Sequence, residues 1–434
     1  MTPQSNILVI APIKHGREGE LRKVLDSMNL APGTADPSNA LVPFQQFPQI
    51  HVARFVILND PTTVDMREAY GETPQQYTPY LAFLADFDGP AESFYQALVA
   101  GAETGLKQLF SHCEGFDAGR SLASWMKQHN HAAATIYVNW LGRTVEQIRE
   151  EEALRLALQD HLQKNAASYT HRNLAETHAS LRKLVHSEIS AERLKLTATP
   201  ATPLSWWIRD VAHLTLIPII LLLLSPILIL YLPFFLVQLR RREKQDPVIA
   251  PRVDTQHANE LAALEDHDVT NQFTAMGSVK PGVFRKWTLS FFLWALNWTT
   301  QHIYTRGQLA RVPTIHFARW VFIDDKKRLL FASNYDGALE TYMDDFINKV
   351  GWGLNLVFGN GIGYPATNWL VLDGAKDEQS FKYFLRRHQL PTNVWYKAYP
   401  GLTAFDLKRN SLIRRGIERG RLPENELRQW IALL

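Results

Sequence analysis

The chain has 434 residues, 46% hydrophobic and 21% charged, which excludes a disordered or low-complexity protein. Lys and Arg number 46 against 43 Asp and Glu, a net charge of +3 that is too balanced for a chain built to grip nucleic acid. A single cysteine, Cys113, excludes a disulfide scaffold and a Cys-rich zinc site.

Taken in order, Ile7–Ile13 reads as a strand, and Gly19–Met28 places Leu21, Val24, Leu25 and Met28 at helical spacing. Val52–Leu58 and Leu81–Phe87 read as strands, Ala91–Phe110 as a helix and Thr135–Trp140 as a strand, giving the order β-α-β-β-α-β. Residues 144–195 are helical by pattern, and His171, His178 and His186 recur there along one face without the i, i+4 spacing of a chelate. The N-terminus lacks the basic start of a signal peptide.

Leu214–Leu239 runs 26 residues without a charge, and about 20 such residues span a bilayer core. Arg240, Arg241 and Arg242 follow, which places that end in the cytoplasm. Pro218, Pro226 and Pro233 interrupt the run. Two arms would each reach only about 19 Å at 1.5 Å per residue. The expectation is a re-entrant hairpin turning near Pro226, with a single span as the alternative. The hairpin keeps both globular parts on the cytoplasmic side.

Beyond it come strands Gln272–Ser278, Ile315–Ile323, Leu329–Ser333 and Val394–Ala398, with helices Val283–Thr299 and Leu339–Phe358 and a helical addition at 403–419. This second string repeats the first. PQIHVARFVILND at 48–60 answers PTIHFARWVFIDD at 313–325, FLADFDGPAESFY at 83–95 answers FASNYDGALETYM at 331–343, and SLASWMKQH at 121–129 answers SFKYFLRRH at 380–388. The first copy carries an insertion within Pro61–Pro79. The expected units are 1–143, a helical connector at 144–203, a membrane segment at 204–242, a linker at 243–268, a second unit at 269–402 and a basic helical tail at 403–434.

Duplication of this element order resembles the dimeric α+β barrel superfamily, whose members include DyP-type peroxidases and chlorite dismutases. The resemblance implies an α+β protein of two tandem ferredoxin-like units paired into a pseudo-dimeric barrel. The G-x-x-D-G motif of DyP-type peroxidases is matched, apart from its leading Gly, by Ser333-Asn-Tyr-Asp336-Gly337 and Ala85-Asp-Phe-Asp88-Gly89. It also implies haem as a cofactor, with His316 or His267 as ligand, Arg319 polarising a bound oxidant, Asp336 moving protons and Tyr335 beside it.

The residues also have plainer readings. The repeated His51 and His316, like the repeated arginines, can be buried polar groups satisfied within a repeated fold. Asp88 and Asp336 sit where an N-cap is expected. The face Gln272, Thr274, Met276 and Ser278 is polar where Ile7, Val9, Ala11 and Ile13 are apolar, which points to water or a polar pocket. The helix at 283–299 puts Trp287, Phe291, Trp294 and Trp298 at helical spacing, as expected of a membrane-interface helix. Arg240–Lys244 and the basic tail (Arg414, Arg415, Arg419, Arg421) would then face anionic lipid. Two functions follow: a membrane-bound, haem-dependent redox enzyme acting on an apolar substrate, or a non-catalytic membrane-associated binding or scaffold protein. The expected partners are the lipid bilayer, an apolar small molecule and a neighbouring redox enzyme.

Overall fold

The computed structural model describes residues 1–169, 172–249, 251–305, 307, 309 and 311–434. It is an α+β protein with two four-stranded antiparallel sheets. Sheet one has the order β1 (Gln4–Pro12), β3 (Tyr80–Asp88), β2 (Ile50–Leu58), β8 (Thr392–Lys397). Sheet two has the order β5 (Thr270–Ser278), β7 (Arg328–Asp336), β6 (Ile315–Ile323), β4 (Thr135–Val138).

The order is the same in both, and each sheet takes its last strand from the other half of the chain. β8 pairs with β2, and β4 pairs with β6. Just before crossing, each segment touches its own half: His131 N–H donates to Leu8 O at 2.8 Å, and Leu390 N–H donates to Thr274 O at 2.7 Å. The expected pair of self-contained units closed into a barrel is thus corrected to two open sheets laced together by exchanged strands. The exchange covers the free edges of β2 and β6, which would otherwise present unpaired backbone groups.

Alternation decides which faces meet. Leu8, Ile10, Val56 and Leu84 pack against Met276, Val321, Ile323 and Leu330 between the sheets. The outer face of sheet one is covered by α1 (Glu18–Asp26), α2 (Ala91–Phe110) and α3 (Leu122–Gln128), with Leu25, Leu106 and Met126 on Val9, Phe55 and Phe83. Sheet two is covered by α7 (Val283–His302), α8 (Leu339–Phe358) and α9 (Glu378–His388) through Leu289, Phe346 and Phe381.

A separate helical core joins α4 (Val145–Lys164) and α5 (Leu174–Ser190) to α10 (Ala404–Glu418) and α11 (Glu424–Ile431), through Leu154, Leu181, Ile413 and Trp430. Of the basic tail expected to face lipid, Arg414 departs from that expectation, while Arg415, Arg419 and Arg421 are exposed. Arg414 is drawn into the core, donating to Thr197 O and Glu418, and Arg419 pairs with Glu426. Of the histidine row, His171 lies outside the described residues, while His178 bonds Gly416 O at 2.9 Å.

Register also corrects a face comparison. Gln4 pairs with Asp88 and Thr270 with Asp336, so the counterparts of Gln272, Thr274 and Met276 are Asn6, Leu8 and Ile10. Both sets look into the space between the sheets. Gln272 accepts from Thr392 there, and Thr274 accepts from Arg54. The polar face is buried and bonded.

The apolar segment is one unbroken helix, α6 (Leu204–Gln245), 42 residues long and about 63 Å at 1.5 Å per residue. The re-entrant hairpin is therefore corrected. Proline at 226 removes the N–H that would bond Leu222 O, and Ser225 Oγ donates to that carbonyl instead, at 2.7 Å. The helix continues because the freed acceptor finds a hydroxyl within the same turn.

Candidate functional site

In each half the strand carrying the repeated histidine has a bulge at that residue. Ile50 pairs with Phe87 but Val52 with Asp86, and Ile315 pairs with Tyr335 but Phe317 with Asn334. The extra residue breaks the alternation that would place His316 on the face of Ala318 and Trp320. His316 Nε2 meets Asp336 Oδ1 at 2.7 Å, and His51 Nε2 meets Asp88 Oδ1 at 2.9 Å.

Each acid then holds the helix that follows the exchanged strand. Asp88 Oδ2 accepts the Val145 N–H at 2.9 Å, the first of α4, and Asp336 Oδ2 accepts the Ala404 N–H at 2.6 Å, the first of α10. Neither acid caps the helix that follows it in sequence, contrary to expectation; α2 and α8 start from Pro90 and Ala338 without a side-chain cap. Glycines at 89 and 337 take the left-handed turn (φ +83° and +85°) that separates acid from helix.

The copies differ in what surrounds the pair. His51 Nδ1 reaches the Tyr399 hydroxyl at 3.2 Å. In the second half Asp336 also accepts from Thr270 Oγ1 at 2.6 Å, and Lys397 Nζ donates to Thr270 Oγ1 and Leu402 O. Burial by itself would raise the Asp336 carboxyl, but His316, Thr270 and the Ala404 N–H outweigh it and hold the group below its ordinary range. Burial pushes the Lys397 ammonium down, with Asp268 and Asp336 opposing.

The repeated arginines cross between the sheets. Arg54 Nη1 donates to Phe273 O at 2.9 Å and Thr274 Oγ1 at 3.0 Å, and Nη2 donates to Ser333 O at 3.0 Å. Reciprocally, Arg319 donates to Ile7 O at 2.7 Å and pairs with Asp86 at 2.5 Å. Burial and the nearby Arg319 lower the Arg54 guanidinium to about 9. These are fasteners built from the planar fork of arginine, which can bond several acceptors at once.

Of the sequence-derived site residues, the fold thus brings His316 and Asp336 together and separates the others. Tyr335 faces the helix side, its ring stacked on Tyr342 at 3.8 Å. His267 is exposed on the linker, with Nε2 at 2.9 Å from Ala263 O. This donor set does not fit a haem: His316 is 3% exposed and its Nε2 is held by Asp336, while His267 lies on the surface. Neither imidazole lines the cavity between α7 and α8, the wide cleft beside residues 1–6 or the small cavity beside Phe384 and His388. Among the described residues no cluster of three or more His, Cys, Asp or Glu is arranged to hold a metal ion.

The most unusual surface is that of α6 and α7. Between Leu214 and Phe234 α6 is exposed nearly all round, with Leu222 and Leu223 at 73% and Leu230 at 81%. Yet both its ends are fastened to the same body. At the first end His213 Nδ1 lies 2.8 Å from His302 Nε2, and Asp210 lies 3.8 Å from His302 Nδ1. At the other end Glu243 accepts from Thr367 Oγ1 and from the Trp369 and Leu370 N–H groups, at 2.8 to 2.9 Å. Asp246 pairs with Lys280 and Arg285. Beneath, α7 adds exposed Val283, Trp287, Phe291 and Trp294.

Not all the expected lipid contacts lie on this surface. Trp298 is half-buried, its ring 5.6 Å from His302. Arg240 pairs with Glu243 and lies over Trp369, and Arg242 lies over Phe284; Arg241 and Pro226 are exposed. Sequence reading missed Glu243 and Asp246 as anchors, although acids inside so basic a run were the available signal.

Two cavities adjoin this surface. One, of about 180 Å³, lies between α7 and α8 and is walled by Phe292, Ala295, Leu296, Trp352, Gly353 and other apolar residues. A wider cleft of about 950 Å³, with a mixed polar and apolar lining, opens between residues 1–6, the start of α6 and the end of α7. No protein-family model matches the chain, and no curated protein or solved structure matches it significantly.

Proposed function

We propose that this chain is a membrane-surface binding protein whose long apolar helix lies parallel to the membrane plane, sunk among the acyl chains of one leaflet. The observation that carries the reading is the fastening of both ends of α6 to one globular body, with its chargeless middle exposed. From Asp210 to Glu243 the helix covers about 50 Å. A helix crossing the bilayer would carry one set of those contacts to the far side. A helix lying within one leaflet, along the membrane plane, keeps both. Trp287, Phe291 and Trp294 on α7 extend the same surface, and Trp favours the headgroup level. Each Leu or Phe taken out of water there contributes about 1.5–3 kcal/mol.

Reading the globular part as two copies of one ferredoxin-like βαββαβ unit is supported by the shared strand order and the bulge at each histidine. In this reading it stands wholly on one side of the membrane. The role is binding, and the buried His–Asp and Arg networks hold the scaffold.

Single-cysteine labelling tests this. Cys113 is buried and its thiol is pushed up to about 12 by burial, so the native cysteine is expected to stay unreactive at pH 8. Ser205→Cys and Lys244→Cys place one thiol at each exposed end of α6. With protein bound to preformed vesicles, a membrane-impermeant maleimide is expected to label both completely. Protection of either one until the vesicles are opened would establish a spanning helix and remove the proposal.

A further inference from the structure

We infer that the cavity between α7 and α8 is a binding site for a single hydrocarbon chain of a lipid, entered from the membrane face. The inference rests on the membrane-surface reading for its source of ligand.

The duplication supplies an internal control. Both long helices behind the sheets are kinked at the same place: Ala102 in α2 has φ −146° and ψ 18°, and Val350 in α8 has φ −138° and ψ 15°. These positions are 248 residues apart, the offset of the two Asp-Gly turns. Three residues beyond each kink lies a glycine, Gly105 and Gly353. In the first half that glycine is a close-approach site. A Cβ on Gly105 would fall within 2.4 Å of the Leu41 backbone, and Gly101 meets the Phe47 ring. The segment from Leu41 to Phe47 therefore fills the groove beside the kink. In the second half, among the described residues, a Cβ on Gly353 meets only Val350, one turn back on its own helix. Among the described residues no segment fills the groove, and it remains as the cavity.

The chemistry of the walls then selects the occupant. Phe292, Ala295 and Leu296 from α7 face Val350, Trp352 and Leu354 from α8, and a polar ligand would lose its water without replacement. A dry apolar cavity of about 150 Å³ already takes a benzene-sized guest. At about 180 Å³ this one takes a segment of an acyl or isoprenoid chain. Phe292 and Ala295 follow directly on the exposed Phe291 and Trp294 along α7, and Trp352 is 51% exposed at the other wall. The cavity is therefore continuous with the surface assigned to lipid.

The experiment uses the full-length protein and two variants that fill the space, Gly353→Leu and Ala295→Phe. Gly353→Leu also replaces a helix-destabilising glycine, so misfolding is not its expected consequence. The probe is palmitate carrying a diazirine at its terminal carbon, photolysed with the protein in the absence of vesicles and mapped by peptide mass spectrometry. Crosslinks are expected in 292–299 and 352–358, falling about tenfold or more in both variants as overpacking removes the space. Crosslinks confined to other peptides, or unchanged in both variants, overturn the site. Flotation of the same proteins with phosphatidylglycerol vesicles reads the membrane surface separately. Both variants should float as the wild type does, whereas Trp287→Ser with Phe291→Ser should float less while keeping the palmitate crosslinks. Palmitate labelling without flotation would remove the membrane reading and leave the pocket standing.

Discussion

Replacement of Arg319 by methionine is expected to destabilise the protein by about 3–5 kcal/mol, because it strands Asp86 between the sheets without its cation. The side chain also bonds the Ile7 and Ala85 carbonyls of the opposite sheet, so its loss loosens the junction as well as the charge balance. Relief of Arg54, whose guanidinium is lowered by burial and by Arg319, offsets part of this cost. Arg54→Met is expected to cost less, about 1–3 kcal/mol, since Arg54 leaves behind the acceptors Phe273 O, Thr274 Oγ1 and Ser333 O, which carry no charge. The double variant Arg319→Met with Asp86→Leu should recover stability relative to Arg319→Met alone. Urea unfolding in detergent checks the order. If Arg54→Met proves the more damaging, or if removing Asp86 brings no recovery, the charge argument fails.

Much of this architecture was written in local pattern, and the exceptions have physical causes. Strand Ile315–Ile323 and helices Ala91–Phe110 and Leu339–Phe358 are bounded as their periodicity predicts, because alternation and the 3.6-residue repeat act on neighbours in sequence. Strand exchange was invisible for the opposite reason. Thr135–Val138 reads as a strand in either sheet, and the choice of partner depends on contacts more than a hundred residues away. The bulges at His51 and His316 were hidden too, since a two-residue period carries no mark of the extra residue. Proline in α6 suggested a turn, whereas the Ser225 hydroxyl repairs the ladder at Pro226. At the candidate site the repeat showed which residues mattered, but His–Asp and Arg–carbonyl contacts between strands were needed to show that they hold the fold. The exposed tryptophans of α7 were legible, and the cavity beside them was not, because a void is set by which segment fails to return.

Asp336→Asn should be the most pH-revealing change. Asp336 accepts from His316, Thr270 and the first N–H of α10, whereas among the described residues Asp88 accepts from His51 and the first N–H of α4. An amide keeps one acceptor oxygen for these donors and has no charge to offer the imidazole. At pH 7 the cost is expected to be about 2–4 kcal/mol, and Asp88→Asn should cost less. The sign of the pH dependence follows from the carboxyl being held below its ordinary range. Between the folded and unfolded values the unfolded chain binds more protons, so this contribution is complete above about pH 5 and is lost as pH falls through the folded value. The stability gap between wild type and Asp336→Asn should therefore narrow on acidification below about pH 4. A gap that stays constant down to pH 3 would mean that the shape of the side chain, and not its charge, ties β7 to α10.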